Sequence, residues 1–263
     1  LAVRSLGVDE LRRLWNSEQL VVTQVERLGG SVKREPLVAE ESNLLDPDKR
    51  EFVSDLRVLR QRNLNQPDTD ARGTSQSVRF APYFRFLKRL SLDASQATDD
   101  DLRAISRLET LQRVVLYDAA KITDKGLDFL AKLEDLVELE IYGCQATSQG
   151  IAALQALPHL KVLRISSLQL DNRAVEAASQ LQQLDQLALI GGTIDNSPLE
   201  KLASLPRLRH LDLSETLLGP SAIEVVSLFP HLEIFIARST ALTENDFERF
   251  RQNRNSRLST NSR

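Results

Sequence analysis

Two of the three tyrosines in this 263-residue chain, Tyr117 and Tyr142, stand 25 residues apart. Arg113 lies four residues before the first, Glu138 and Glu140 lie just before the second, and Arg164 follows Glu140 by 24 residues. Tyrosine and arginine carry a large share of binding energy at protein interfaces, since both combine a broad contact area with directed polar atoms. A set of this kind suits recognition rather than bond-making. His210 and Asp212 fall at the same phase further along, and Ile190, Ile234 and Ile236 form an apolar counterpart near the C-terminal end.

Signs of catalysis are poor. The chain lacks the phosphate-loop, dinucleotide-loop, zinc-protease and nucleophile-elbow motifs. One cysteine excludes an internal disulfide and a cysteine-based zinc finger, and three histidines leave little for a multi-histidine metal site. His159 and His231 share a Pro-His-Leu context, as a repeat consensus would produce, and Cys144 reads as a small buried apolar residue. The run Asp99-Asp100-Asp101 reads as acids capping a helix N-terminus rather than as a metal cluster. No catalytic residue, metal or cofactor is expected. A net charge of −3 speaks against a general nucleic-acid or anionic-membrane binder, and no apolar run approaches the ~18 residues of a membrane span.

The elements that position these residues follow from the leucines, of which there are 46, with 33 in residues 87–250. Leu87, Leu111, Leu136, Leu160, Leu184, Leu208 and Leu232 recur at steps of 24, with one step of 25. Each opens L-x-x-L-x-L, read through Leu90, Val114, Leu139, Leu163, Leu187, Leu211 and Phe235, then Leu92, Leu116, Ile141, Ile165, Leu189, Leu213 and Ala237. A second apolar set at i, i+3, i+6, such as Leu127-Leu130-Leu133, follows on one face of a short helix. Thr98, Thr123 and Thr243, each trailed by Asp, mark helix starts, and Pro158, Pro206 and Pro230 mark ends. Each of the seven units reads as strand, turn and helix. Alternation along the strands points Arg113, Tyr117, Glu138, Glu140, Tyr142, Arg164, His210 and Asp212 away from the core. The same rule turns Ile190, Ile234 and Ile236 outward. Over all these outward strand positions, four basic and four acidic residues balance, which disfavours a strong trap for DNA or RNA.

The pattern resembles the leucine-rich-repeat family over residues 85–250. Ile122-Thr123-Asp124-Lys125-Gly126-Leu127 is similar to the "ITDxGL" type of ribonuclease-inhibitor-like, F-box and planctomycete bacterial repeats. Cys144 falls where those repeats place Asn, Cys or Thr. Its equivalents Ser95, Ala119, Leu168, Gly192, Thr216 and Thr240 leave no asparagine ladder. The resemblance implies an α/β solenoid with a concave parallel sheet and a convex row of helices, since one unit cannot bury its leucines alone.

The flanks depart from the repeat. Residues 9–28 read as a helix with Leu11, Leu14, Trp15, Val22, Val25 and Leu28 on its apolar side, stopped by Gly29-Gly30. Residues 47–62 read as a second helix after Asp46-Pro47, with Phe52, Leu56 and Leu59 on one face. Asn63–Ser77 is polar and reads as a loop or hinge, and Phe80, Tyr83, Phe84 and Phe86 gather before the first unit. The expected organisation is a helical N-terminal cap (1–62), a polar linker into the solenoid (63–84), the repeats (85–250) and a solvated, disordered basic tail (251–263) with four Arg and no acid. Val25–Val32 resembles the stretch that precedes the repeats, after a membrane anchor, in some planctomycete proteins. With no initiator Met and no signal-like start, the chain reads as processed or trimmed.

The expectation is therefore a non-catalytic scaffold that recognises a protein partner, not nucleic acid, through the concave sheet. Its oligomeric state is not legible. An anchoring component docked through residues 1–60 is the alternative, extracytoplasmic if planctomycete-like and otherwise cytoplasmic. A ubiquitin-ligase substrate adaptor comes third, without a recognisable F-box in residues 1–86.

Overall fold

The phase of the leucines becomes a sheet whose strands follow one another in chain order. The structure, a computed structural model, describes residues 8–27, 31–36, 51–58, 84 and 86–260. The units supply β3 (Arg89–Asp93), β4 (Arg113–Tyr117), β5 (Glu138–Cys144), β6 (Val162–Ser167), β7 (Gln186–Ile190), β8 (His210–Asp212) and β9 (Ile234–Ile236). All pair in parallel, with repeat-equivalent residues opposite each other: Leu90 faces Val114, Val114 faces Leu139, and so on to Leu211 and Phe235. Identical spacing makes that register inevitable, since a slip of one residue would turn every leucine to solvent.

The returning helices are short: α2 (Asp99–Ile105), α3 (Asp124–Leu130), α4 (Ser148–Ala153), α5 (Asn172–Ala178), α6 (Leu199–Leu202) and α7 (Ala222–Val226). Their apolar faces meet the inner faces of the strands in one cluster running from Val22 to Phe250. The chain leaves several strands through a left-handed residue, at Asp118, Gly143, Gly191, Glu215 and Ser239, at matching places in their units.

Two expectations for the flanks need correction. The first helix forms as α1 (Val8–Arg27), with Val22 and Val25 in the core. Residues 51–58 of the expected second helix instead form β2 (Glu51–Val58), which pairs antiparallel with β1 (Ser31–Pro36) and parallel with β3. The spacing of Phe52, Leu56 and Leu59 fits a helix turn, but β3 presents an unpaired edge. An open row of backbone donors and acceptors outweighs a weak local preference. Among the described residues, the N-terminal region therefore continues the sheet to nine strands. The Gly29-Gly30 stop, Asn63–Ser77, Phe80 and Tyr83 lie outside the described residues.

The expected C-terminal tail is also corrected. Residues 251–260 belong to α8 (Glu244–Thr260), and Arg251 is tied to Glu244 at 2.6 Å. This helix is started by Asp246, which accepts from the Thr243 N–H and hydroxyl at 2.9 and 2.7 Å. It is anchored by Phe247 and Phe250, whose rings lie 6.0 and 5.7 Å from that of Phe235. The aromatic residues close the end of the leucine core.

Candidate functional site

The side chains singled out for recognition gather on the concave sheet because parallel register stacks equivalent positions. Arg113 stands opposite Glu138, and Glu140 opposite Arg164. The Arg113 guanidinium bridges two carboxylates, Glu138 Oε2 at 3.2 Å and Glu140 Oε1 at 3.1 Å. Arg164 approaches Glu140 Oε2 at 3.8 Å and donates to Gln186 Oε1 at 2.7 Å. The Tyr142 hydroxyl donates to Glu140 Oε2 at 2.5 Å. The rings of Tyr117 and Tyr142 stack with centroids 5.5 Å apart and planes 8° from parallel. Tyr117 remains 41% exposed, so the stack has an accessible member.

Glu140 is the hub. Only 5% of it is exposed, which the alternation rule missed. The rule gives direction and not accessibility: on an inward-curving sheet, neighbouring side chains cover one another, and Asp93, Val115, Ala188 and Ser214 are buried for the same reason. Burial pushes the Glu140 carboxyl up, but the Tyr142 hydroxyl, a hydrogen bond with Glu138, and the Arg164 and Arg113 charges outweigh it and hold the group below the usual carboxylate range. Glu138 moves the other way, raised by burial and by its hydrogen bond with Glu140 against the pull of Arg113. Tyr142 is pushed to about 12, by burial first and then by the Glu140 carboxylate it serves. The cluster is charge-balanced and prepositioned, and it holds no activated nucleophile.

The sequence gives two separate patches, polar and apolar, and the fold joins them. A groove of about 460 Å³ is walled by Tyr142, Arg164, His210 and Asp212 and by Ile190, Ile234 and Ile236, with the small Ala188 in its lining. His210 pairs across the sheet with Ile234, and Asp212 with Ile236. Ile234 is 45% exposed, and Asp212 accepts from the Ser214 N–H and hydroxyl at 2.9 and 2.6 Å. His159 and His231 are exposed on turns, away from this groove. The Cys144 thiol is buried and raised to about 11 by that burial, and it donates to the Ser166 carbonyl at 3.5 Å.

A second network went unread in the sequence. Asp99 accepts the Thr123 N–H at 2.9 Å and its hydroxyl at 2.7 Å, from the next unit. Asp124 repeats this with Thr147, at 2.7 Å to both atoms, and also takes the Gly150 N–H at 3.0 Å. Asn172 takes the Asp195 N–H at 2.9 Å, and Asn196 the Gly219 N–H at 3.0 Å. Four helix starts, at Thr123, Thr147, Asp195 and Gly219, are thus bonded by the unit before. Glycine three residues after the threonine makes the room: a Cβ on Gly126 would lie 2.6 Å from Asp99 Oδ1, and one on Gly150 2.5 Å from Asp124 Oδ1.

At two starts that no earlier unit reaches, Thr98 and Thr243, an aspartate stands in the glycine position and caps its own unit. Asp101 accepts from the Thr98 N–H and hydroxyl at 2.9 and 3.0 Å, as Asp246 does for Thr243. Unit six, which precedes Thr243, carries Pro220 where units one, two, four and five carry the accepting Asp or Asn and unit three carries Ser148. The acidic run Asp99–Asp101 therefore serves two successive helix starts. The signal available beforehand was the recurrence of Thr-Asp and Gly at the repeat period.

No protein-family model matches the chain, and no curated protein sequence matches it. Among solved structures it is similar to internalin C2 of Listeria monocytogenes str. 4b F2365, with 25% identity and a TM-score of 0.43 over 57% of this chain and 60% of that one. It is similar to internalin F of the same strain, with 20% identity and a TM-score of 0.45 over 62% and 52%. It is also similar to TLR13 in a complex with ssRNA13, with 17% identity and a TM-score of 0.43 over 64% and 27%. The matched part spans less than two thirds of each of these proteins. The fold stands on the chain's own register of seven equivalent strands and the helices between them: it is an α/β leucine-rich-repeat solenoid.

Proposed function

We propose that the chain is a non-catalytic scaffold that holds a protein partner on its concave face, with Tyr117, Tyr142 and the adjoining groove as the contact. The observation that carries this reading is the continuity of an exposed aromatic stack, a neutralised Arg–Glu hub and an apolar-ended groove on one rigid sheet. A surface already ordered by the fold loses little conformational entropy on binding. The hub suits positioning better than catalysis, because its charges are consumed by one another. The Thr-Asp-x-Gly pattern, with its physical role in the ladder, supports kinship with the ITDxGL type of repeat.

The anchoring alternative has less support: β2 extends the repeat sheet, so the N-terminal region serves the solenoid's edge. Nothing in the described residues favours a ubiquitin-ligase adaptor. Among them, no helix is long and apolar enough to cross a membrane. The RNA in the TLR13 complex belongs to that protein, but it makes RNA a required arm of the test. Affinity capture from the native source should retain a protein on the unaltered chain and lose it on the Tyr117→Ala/Tyr142→Ala variant, with the circular dichroism of the two unchanged. Equal retention by both overturns the concave site. Tight binding of single-stranded RNA that the same variant abolishes overturns the partner class.

A further inference from the structure

A second surface lies on the turns that follow the strands, away from the concave groove. Among the described residues, Leu168 and Leu217 are the most exposed large apolar side chains, at 80% and 63%. They belong to the turns of units four and six, and the turn between them carries Gly191-Gly192. Successive turns are laced together: the Thr193 N–H donates to the Leu170 carbonyl and the Leu217 N–H to the Ile194 carbonyl, both at 2.8 Å. A Cβ on Gly192 would stand 2.1 Å from the Leu170 carbonyl oxygen, so no side chain fits there. Leu168 Cδ2 lies 3.6 Å from the point a Gly191 Cβ would occupy. The two leucines therefore flank a dip that the backbone itself enforces.

Leu217 also lines a cleft of about 600 Å³, together with Asp195, Asn196, Ser197, Glu200, Gly219 and Val225. The lining carries two carboxylates and no cation. Asp195 accepts from the Ser197 N–H at 2.8 Å and from Asn172 Nδ2 at 3.0 Å, bonds that favour its ionised form. The first units treat the same edge differently. There Lys121 donates to Gln96 Oε1 at 2.9 Å and Gln145 to the Ala120 carbonyl at 2.7 Å, so the turns close on themselves with polar side chains. Exposed leucines replace that closure in units four and six, on either side of the unit-five glycines. Leucines beside uncompensated carboxylates complement an apolar group next to a positive charge.

We propose that this edge docks a polypeptide segment that lays an apolar side chain across Leu168 and Leu217 and a lysine or arginine against Asp195 and Glu200. The concave face is not involved, so the site stands or falls separately from the reading above. The test is selection of twelve-residue peptides from a random display library on the full chain, with each selected clone remeasured as a synthetic peptide on variants. The expected clones pair a large apolar residue with Lys or Arg. Their binding should fall about tenfold or more on Leu168→Ser/Leu217→Ser and weaken on Glu200→Lys and with added salt. It should be unchanged on Tyr117→Ala/Tyr142→Ala. The leucine substitutions leave the net charge alone and touch exposed side chains, so loss of binding is not loss of fold. Clones rich in acid, clones indifferent to the leucine substitutions, or no clones at all overturn the proposal.

Discussion

The carboxylates of Asp124 and Glu140 both bridge neighbouring units, yet they spend their oxygens differently. Asp124 gives its oxygens to the Thr147 N–H, the Thr147 hydroxyl and the Gly150 N–H, all belonging to the next helix start. Glu140 gives its oxygens to side chains, Arg113, Arg164 and Tyr142, of which the two arginines remain about two-fifths exposed. Backbone donors at a helix start have no other partner inside the fold, whereas an exposed guanidinium can return to water. The ladder is therefore bound to stability, and the hub is free to serve a surface.

The sharpest way to break this contrast is Asp124→Ala. Orphaning backbone donors and a threonine hydroxyl at the α4 start should cost about 3 kcal/mol in urea unfolding. Gly150→Ala should cost about 1–3 kcal/mol by pushing a Cβ into the Asp124 carboxylate. It should cost much less in the Asp124→Ala background, and full additivity in that double-mutant cycle would show that the glycine serves something else. Glu140→Ala should cost only about 1 kcal/mol, because Arg113 and Arg164 rehydrate. A loss as large as that of Asp124→Ala would make the hub a structural device.

Smaller effects come from pH. The depressed Glu140 group adds stability above the usual carboxylate range, and that contribution disappears as pH falls through its folded value. The raised Glu138 group acts in the opposite sense, with folding favoured as pH falls through its folded value, so the wild-type acid limb is partly cancelled. Glu140→Gln should thus narrow its stability gap to wild type between pH 6 and pH 3, and a gap that widens on acidification contradicts the assignment. At the alkaline end, Tyr142 rises from 10 to about 12 in the fold, so its contribution is present below pH 10 and lost on the way to 12. Tyr142→Phe should flatten that part of the curve, as followed by chemical unfolding at stepped pH.

How much of this was legible beforehand depends on the range over which each feature is decided. The Tyr117–Tyr142 stack was readable because both residues occupy one phase of a repeat whose register leaves no choice. The reach of Asp99 to Thr123 was not read, because an acid next to a threonine has an equally good local use at its own helix start, as Asp101 demonstrates with Thr98. Arg251 looked like part of a free tail because the phenylalanines that hold α8 against Phe235 lie outside the leucine pattern.

The sequence by itself determined the unit, its period, the buried leucine ladder and the set of side chains turned away from it. Those follow from alternation and helical spacing, which are properties of a few consecutive residues. Tertiary structure decided that Glu51–Val58 becomes a strand, that Glu140 is covered, and that Ile190, Ile234 and Ile236 share one groove with Tyr142 and Arg164. These outcomes depend on which backbone edge lies open and how tightly neighbouring strands crowd their outward side chains. Only the stacked and curved sheet fixes either one.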